Sequence, residues 1–358
     1  MNRMETSIFA YSPETLPDLV KQIGQPKFRT KQLLQWLYQH GAVSYDEMTN
    51  LPKKMREILA QVAPLSVPVV IDKQISYDGT RKYLLQMSDG ALVETVGIPS
   101  RDTKTSGEAR RLTVCFSTQV GCPMACAFCA TGKEGLQRNL LPGEMAWQLL
   151  ICQKDMGLRV SNAVAMGQGE PFLNYNNVIG ALHILNSPDC FNIGARHISI
   201  STCGILDGIE SFGQEPEQFT LAISLHCAIQ ESRDKLMPRC ASLPLPKLHD
   251  SLVRYQKYCG RRISLEYLMI DGVTDTDECL NALVSFCNGI SVHVNMLRIN
   301  KIDDSQFNPS SEKRIDRFLT VLKQKHIEAT VRDSRGSDID GACGQLINKR
   351  GKSRINQR

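Results

Sequence analysis

The stretch LTVCFSTQVGCPMACAFCATGKEGLQRN, residues 112–139, starts as an apolar β-rich run and opens into a loop bearing Cys122, Cys126 and Cys129 in a C-x3-C-x2-C arrangement. A strand that delivers ligand-type side chains beyond its C-terminal end is the layout of an α/β sheet, where sites form at the carboxyl ends of strands. Downstream, the strand-like runs SNAVAMG, HISISTC, FTLAISL, RISLEYLMI and SVHVNML alternate with helical segments such as GEMAWQLLICQKDMG, NNVIGALHILNS, ESRDKL, DTDECLNALVSFC and SEKRIDRFLTVLKQK. That alternation predicts βαβ units and a parallel sheet. With the opening run there are six strands, short of a closed eight-stranded barrel, so the expected fold is α/β with a partial (βα)6-type barrel.

Three thiolates are one short of a four-cysteine zinc or cluster site. Held in one short loop, they suit a [4Fe–4S] cluster with one iron left open to a substrate or cofactor. A zinc site completed by His226 or another cysteine, and incidental thiols, are the competing readings.

Working back toward the N-terminus, residues 64–98 carry three short β-rich runs, VPVVIDKQIS, TRKYLLQM and ALVETVGI, separated by Asp78-Gly79 and Asp89-Gly90. Asp-Gly between such runs signals hairpins, so a small antiparallel meander is expected. Residues 1–63 read as a helical unit, with Phe28, Leu33, Leu34 and Leu37 at helical spacing before Gly41 and a further helix broken or restarted near Pro52. The barrel region then spans 99–346 and a basic tail 347–358.

The 358 residues are 42% apolar and 22% charged, which excludes a disordered chain or a collagen. No stretch approaches the ~18 consecutive apolar residues of a membrane span, and no membrane partner is expected. The start, MNRMETSIFAYSPET, lacks a basic region followed by an apolar core, so no signal peptide is expected and the location is read as cytoplasmic. In that setting 13 cysteines, an odd count, are thiols and ligands rather than bridges. The formal charge of +5 sits in the tail, since KRGKSRINQR holds five basic residues and no acid. Phosphate contact suits that tail, as it suits Lys53, Lys54, Arg56, Lys104, Arg110, Arg111, Lys133 and Arg138; a solvated surface is the plainer reading.

Further candidate groups stand at or just past the ends of the predicted strands: Gly169 and Glu170 in MGQGEP, Ser201 in ISISTCG, Ser224, Leu225 and His226 in LAISLHC, and Asn300 in MLRIN. Each taken alone is ordinary turn chemistry. Together they would converge on one mouth of the barrel.

With VETV, QVGCPMACAFCATG, GQGEP, AISLH and the ending RDSRGSDIDGACGQL, the chain closely resembles the RlmN/Cfr family of radical S-adenosylmethionine (SAM) RNA adenine methyltransferases, from the N-terminal helical unit to residue 346. The resemblance implies a radical SAM barrel in which Cys122, Cys126 and Cys129 hold a [4Fe–4S] cluster whose open iron binds SAM. It implies that Gly169, Glu170, Ser201, Ser224, Leu225, His226 and Asn300 cradle SAM. Cys343 then matches a methyl-carrying cysteine, Cys115 the second catalytic cysteine, and Glu94 a proton acceptor. The implied substrates are ribosomal RNA and transfer RNA. The implied mechanism passes through S-methylated Cys343 and ends in a Cys115–Cys343 disulfide, with a flavodoxin and its reductase as electron source. A monomer is expected.

The branch methylating adenine C2 in both 23S rRNA and tRNA is favoured over the C8, antibiotic-resistance branch. A non-catalytic iron–sulfur protein that binds RNA or senses redox state is the reading from another class. The chain departs from the common family pattern at Gln168, after Met237-Pro238, and after Asn300. The other eight cysteines have no assigned task; of these Cys203 and Cys227, which adjoin the SAM candidates, are read as packing residues.

Overall fold

The turn chemistry at Asp78-Gly79 and Asp89-Gly90 does what its residues demand: both glycines adopt positive φ (86° and 85°), and the chain reverses at each. In the computed structural model, which describes residues 7–101, 109–300 and 306–346, three antiparallel strands result: β1 (Val69–Ile75), β2 (Arg81–Gln86) and β3 (Leu92–Arg101). The meander is not a separate body. Strand β3 runs on to pair antiparallel with β4 (Ala109–Cys115), so meander and barrel share one ten-stranded sheet.

A small ribbon, β5 (Gln119–Gly121) with β6 (Leu136–Asn139), brackets the cysteine loop. The parallel part then continues from β4 through β7 (Val160–Ala165), β8 (Ile198–Thr202), β9 (Thr220–Ser224), β10 (Ile263–Met269), β11 (Val292–Arg298) and β12 (Glu328–Arg332). That makes seven parallel strands where the sequence suggests six. The seventh, β12, is an edge strand alternating between exposed and half-buried residues, so it lacks the apolar run that marks the interior strands.

Helices cover the outside. The N-terminal unit comprises α1 (Leu16–Gln22), α2 (Phe28–Gln35), which passes into a final π turn ending at Gly41, and α3 (Lys53–Val62), which restarts after Pro52 as expected. In the barrel, α4 (Pro142–Met156), α5 (Tyr175–Asn186), α6 (Leu206–Gly213), α7 (Gln230–Leu236), α8 (Leu245–Cys259), α9 (Asp277–Phe286) and α10 (Glu312–Gln324) follow the strands. Helices α6 and α8 are not among those expected from the sequence. The buried apolar side chains of helices and sheet form one continuous core that includes the N-terminal unit.

Opposed residues share a sheet face, so the register states what points inward. Ser224, Glu266, Asn295 and Thr330 stand in one row across β9 to β12. Ser201, opposite Ala222 and so on the same face, brings its Oγ to 3.0 Å from Ser224 Oγ and carries the polar side chains on to β8. This polar belt lines the barrel side on which the candidate residues gather.

Candidate active site

The cysteine loop, 122–135, is tied at its mouth by the Cys122 amide donating to the Gly135 carbonyl (2.9 Å) and midway by the Ala127 amide donating to the Leu236 carbonyl of α7 (2.9 Å). Burial first, then the neighbouring Cys129, pushes the Cys122 thiol up to about 12 and raises Cys126 well above the usual thiol value. Metal-free, these buried sulfurs favour protons; a cation would take the protons' place.

Among the described residues, the His, Cys, Asp and Glu ligand atoms that all approach within 4.8 Å of one another are those of His183, Glu215 and Glu217, away from the cysteine loop. At least one pair of the three sulfurs is therefore wider than the ~3.8 Å edge of a zinc tetrahedron built with Zn–S near 2.3 Å. A single zinc ion with His226 as fourth ligand does not fit this spacing. The donor set, three thiolates in one short loop, is that of an iron–sulfur cluster with one iron left without a protein ligand.

The loop after β7 forms the adjoining wall. Gly169 has φ +110°, and a Cβ there would stand 2.7 Å from Thr118 Oγ1 and 2.8 Å from the Gln119 amide nitrogen. Its neighbour Gln168 accepts at its carbonyl from the amides of Thr118 (2.8 Å) and Gln119 (3.2 Å). Glu170 is buried, and its oxygens already accept from the amides of Phe172 (3.0 Å) and Cys203 (2.8 Å) and from Cys203 Sγ (2.9 Å). Burial outweighs these bonds and raises its pKa. Cys203 is thus more than packing, since its thiol holds the Glu170 carboxylate; Cys227 is buried against Cys279.

His226 follows β9 with φ +56° and meets the Phe128 ring edge-on, centroids 4.8 Å apart. Burial, then the charge of Arg233, lowers its pKa to about 3, so the ring is neutral, and Nδ1 is enclosed without a hydrogen-bond partner. Leu225 is held through its backbone: its amide donates to the Glu266 carbonyl (3.1 Å), and its carbonyl accepts from Arg233 Nε (3.3 Å).

Asn300 Nδ2 donates to the Cys343 carbonyl (3.2 Å). Cys343 is the exposed cysteine of the thirteen. Protein around it pushes its thiol up to about 12, and the charges of Cys115, Cys129 and Glu266 add to the rise, Arg332 opposing. Cys115, at the end of β4, is likewise pushed up by burial, to about 11. The loop carrying Cys343 is clamped on the cluster side by the Ala130 amide on the Gly344 carbonyl (2.7 Å) and by Thr131 Oγ1 on the Leu346 carbonyl (2.6 Å). On the meander side, Ser76 Oγ donates to Asp338 (2.6 Å) and Lys82 Nζ to the Asp340 carbonyl (3.2 Å). Glu94 is buried, its carboxylate 3.2 Å from Lys82 Nζ and its amide donating to Gln168 Oε1 (3.3 Å).

All the site candidates therefore lie on connected elements around one mouth. Sequence reasoning missed Lys82, Arg233 and Glu266, whose burial only the pairing of distant strands and helices creates. Of the basic candidates, Arg138 is engaged by Asp89 and bidentately by Glu144, and Arg56 by Asp46, so neither offers its charge freely to phosphate. Lys104, the side chain of Arg110, the departure at Lys301 and the tail lie outside the described residues.

Residues 6–65 match the ribosomal RNA large subunit methyltransferase N-terminal domain, and residues 116–279 the radical SAM superfamily. A probable dual-specificity RNA methyltransferase RlmN from Nostoc punctiforme is 43% identical over 327 residues, covering 91% of this chain and 89% of its own. One of the same description from Clostridium novyi is 38% identical over 341 residues, covering 95% and 97%. The crystal structure of a radical SAM methyltransferase from Sphaerobacter thermophilus superposes with a TM-score of 0.87 at 38% identity, covering 95% of this chain and 99% of that one.

Proposed function

Since the chain belongs to the RlmN family of radical SAM RNA methyltransferases, with a [4Fe–4S] cluster and SAM as cofactors, we propose that it methylates C2 of an adenosine in 23S ribosomal RNA and the adenosine 3′ of the anticodon in some tRNAs. The observation that carries the mechanism is the position of Cys343, a thiol outside the cluster loop whose carbonyl accepts from Asn300 Nδ2 (3.2 Å) and whose electrostatic neighbours include both Cys115 and Cys129.

When bound, the cluster and SAM supply a 5′-deoxyadenosyl radical able to remove a hydrogen atom from a methyl group. Cys122, Cys126 and Cys129 are the cluster's ligands. The Ser201–Ser224 pair, the backbone at Gly169 and Leu225, the Nδ1 of His226, and Glu170 and Asn300 shape the SAM pocket. Carbon 2 of adenine is electron-poor and does not attack the methyl of SAM, so the protein needs a carrier. Cys343, as thiolate, takes a methyl group from one SAM by displacement, the thiolate being the reactive form. Once a hydrogen has been removed from that methyl, its carbon joins C2 and links RNA to Cys343 through a methylene. Glu94 accepts the C2 proton, and the one unpaired electron left on the ring by the radical addition passes to a one-electron acceptor, a role the oxidised cluster would supply. Cys115 then attacks the Cys343 sulfur; the C–S electron pair passes to the methylene, which gains a proton and leaves as methyl, and an S–S bond remains.

The target adenosine leaves its stack to reach the mouth, which costs a few kcal/mol. Reduction of the disulfide and the cluster calls for a small electron carrier such as flavodoxin with its reductase. We place the reaction in the cytoplasm and the active protein as a monomer; among the described residues no helix is long and apolar enough to cross a membrane.

The test is anaerobic turnover of the reconstituted enzyme on 23S rRNA and tRNA with methyl-labelled SAM, locating the label in the nucleoside. Label at C2 is expected, with none from Cys343→Ala. Label at C8, or methylation by Cys343→Ala, overturns the reading.

A further inference from the structure

Lys82 is a charged residue in a place that an apolar one would fill at less cost. Its side chain is 9% exposed and that of its partner Glu94 5%. Replacing a buried ion pair by well-packed apolar groups is commonly neutral or stabilising, so stability alone does not account for it. Its geometry does suggest a role. In the β2–β3 register Lys82 stands opposite Val96, and in the β3–β4 register Val96 stands opposite Cys115. Lys82, Val96 and Cys115 therefore form one row on one sheet face, and Glu94, two residues along β3 from Val96, is on that face too. The ammonium has two contacts at the same distance: Glu94 Oε1 at 3.2 Å and the Asp340 carbonyl at 3.2 Å. Asp340 lies three residues before Cys343, on the loop that Asn300 and the cluster loop hold from the other side.

We propose that Lys82 is a positioning residue for the reaction, fixing the Glu94 carboxylate against the loop that carries Cys343, so that Glu94 meets the C2–H bond while the RNA is joined to Cys343. In that step the C–H electron pair returns to the ring, the proton bonds to a Glu94 oxygen, and the one unpaired electron left by the radical addition passes to a one-electron acceptor, which the oxidised cluster would supply; Lys82 exchanges no atom. An ammonium serves both contacts because it has three donors and no acceptor, matching one carboxylate and one carbonyl. Neighbouring Arg81 has no part in this, because it points to the other face and pairs there with Asp155. The inference rests on the carrier role of Cys343 and the acceptor role of Glu94 proposed above.

The experiment compares wild type with Lys82→Met, Lys82→Gln and Lys82→Arg, using Glu94→Gln as reference, in reconstituted enzyme. Three quantities are read: S-methylation of Cys343 by mass spectrometry, covalent RNA–protein adduct on denaturing gels, and turnover. Methylation of Cys343 does not use Glu94, so it is expected within about twofold of wild type in every variant. Turnover of the Met and Gln variants is expected to fall roughly ten- to a hundredfold, at or below the low end of the ~10²–10⁴-fold a positioned proton acceptor contributes, because Glu94 is misplaced and not removed. Adduct is expected to accumulate as in Glu94→Gln, and the Arg variant to recover part of the turnover.

Turnover within twofold of wild type in Lys82→Met overturns the inference. So does a fall in turnover without adduct, or loss of Cys343 methylation or of the fold in all three variants, which makes Lys82 structural only. Failure of the underlying reading looks different: wild type itself would show no methylated Cys343, or Cys343→Ala would still modify RNA.

Discussion

Gly169→Ala is the substitution that most directly tests how the SAM wall is built. At φ +110° the position lies in a region that only glycine occupies readily, and forcing an L-residue into it costs about 1–3 kcal/mol. The new Cβ would also stand 2.7 Å from Thr118 Oγ1, 2.8 Å from Gln119 Cβ and 2.8 Å from the Gln119 amide nitrogen. Part of that obstacle is backbone, which does not swing aside as a flexible side chain does, so overpacking adds about 1–3 kcal/mol. Relief requires the 167–170 loop to move away from residues 118 and 119. That stretches the Gln168 carbonyl bonds and drags the Glu170 amide from Gln119 Oε1, now 2.9 Å away.

The expected total is about 2–6 kcal/mol. At roughly 2 °C per kcal/mol, the low end of the scale for chains of 150–250 residues, this lowers Tm by about 4–12 °C. SAM affinity of the reconstituted protein, measured by equilibrium dialysis, should fall at least tenfold. Gly260→Ala separates strain from close approach. It has φ +64° but nothing within 4 Å of a new Cβ, so it should cost only about 1–2 kcal/mol and leave SAM binding intact. If Gly169→Ala melted and bound SAM like wild type, or like Gly260→Ala, the close-approach reasoning would be wrong.

Two further outcomes concern the meander and the surface. Asp155, at the end of α4, accepts from Lys73 (2.8 Å), Arg81 (2.6 Å) and Tyr83 (2.8 Å); burial opposes, but these bonds win and hold its pKa at about 2, below the ordinary 3.8. Its folded value is depressed, so its stabilisation is present above pH 3.8 and disappears as pH falls through about 2. Asp155→Asn should remove about 1–2 kcal/mol at neutral pH, after discounting for partial exposure, and flatten the stability–pH curve between about 2 and 4 in urea titrations. Arg138→Ala should lower stability by about 1–3 kcal/mol, because it leaves buried Glu144 without its fork partner. The salt dependence of RNA binding should stay the same, since a lost phosphate contact would reduce the log–log slope by nearly one.

The proposed cluster ligands were legible because their chemistry is local: three cysteines within eight residues share a loop whatever the rest of the chain does. The Asp-Gly turns were legible for the same reason. Cys203 was misread because its thiol bond to Glu170 joins the ends of two different strands, and nothing near residue 203 in the chain announces a carboxylate. Arg233 shows the limit from the other side. On α7 it looks like a solvated helix residue between Glu231 and Lys235, yet it is fully buried, donating to the carbonyls of Cys203 (2.6 Å) and Leu225 (3.3 Å). Strand β12 escaped notice because an edge strand with one wet face carries only a weak apolar pattern.

From the sequence alone came the alternation that makes a parallel sheet, the thiol spacing that makes a cluster loop, and the motifs that mark the family. Each depends on a few adjacent residues, or on a period, that tertiary context does not overturn. What the tertiary structure decided is which distant groups meet: Asn300 with the carbonyl of Cys343, and Lys82 with both Glu94 and the carbonyl of Asp340, 258 positions away. Strand register and loop closure determine those encounters, and a one-residue slip of β2 would turn Lys82 to the opposite face of the sheet.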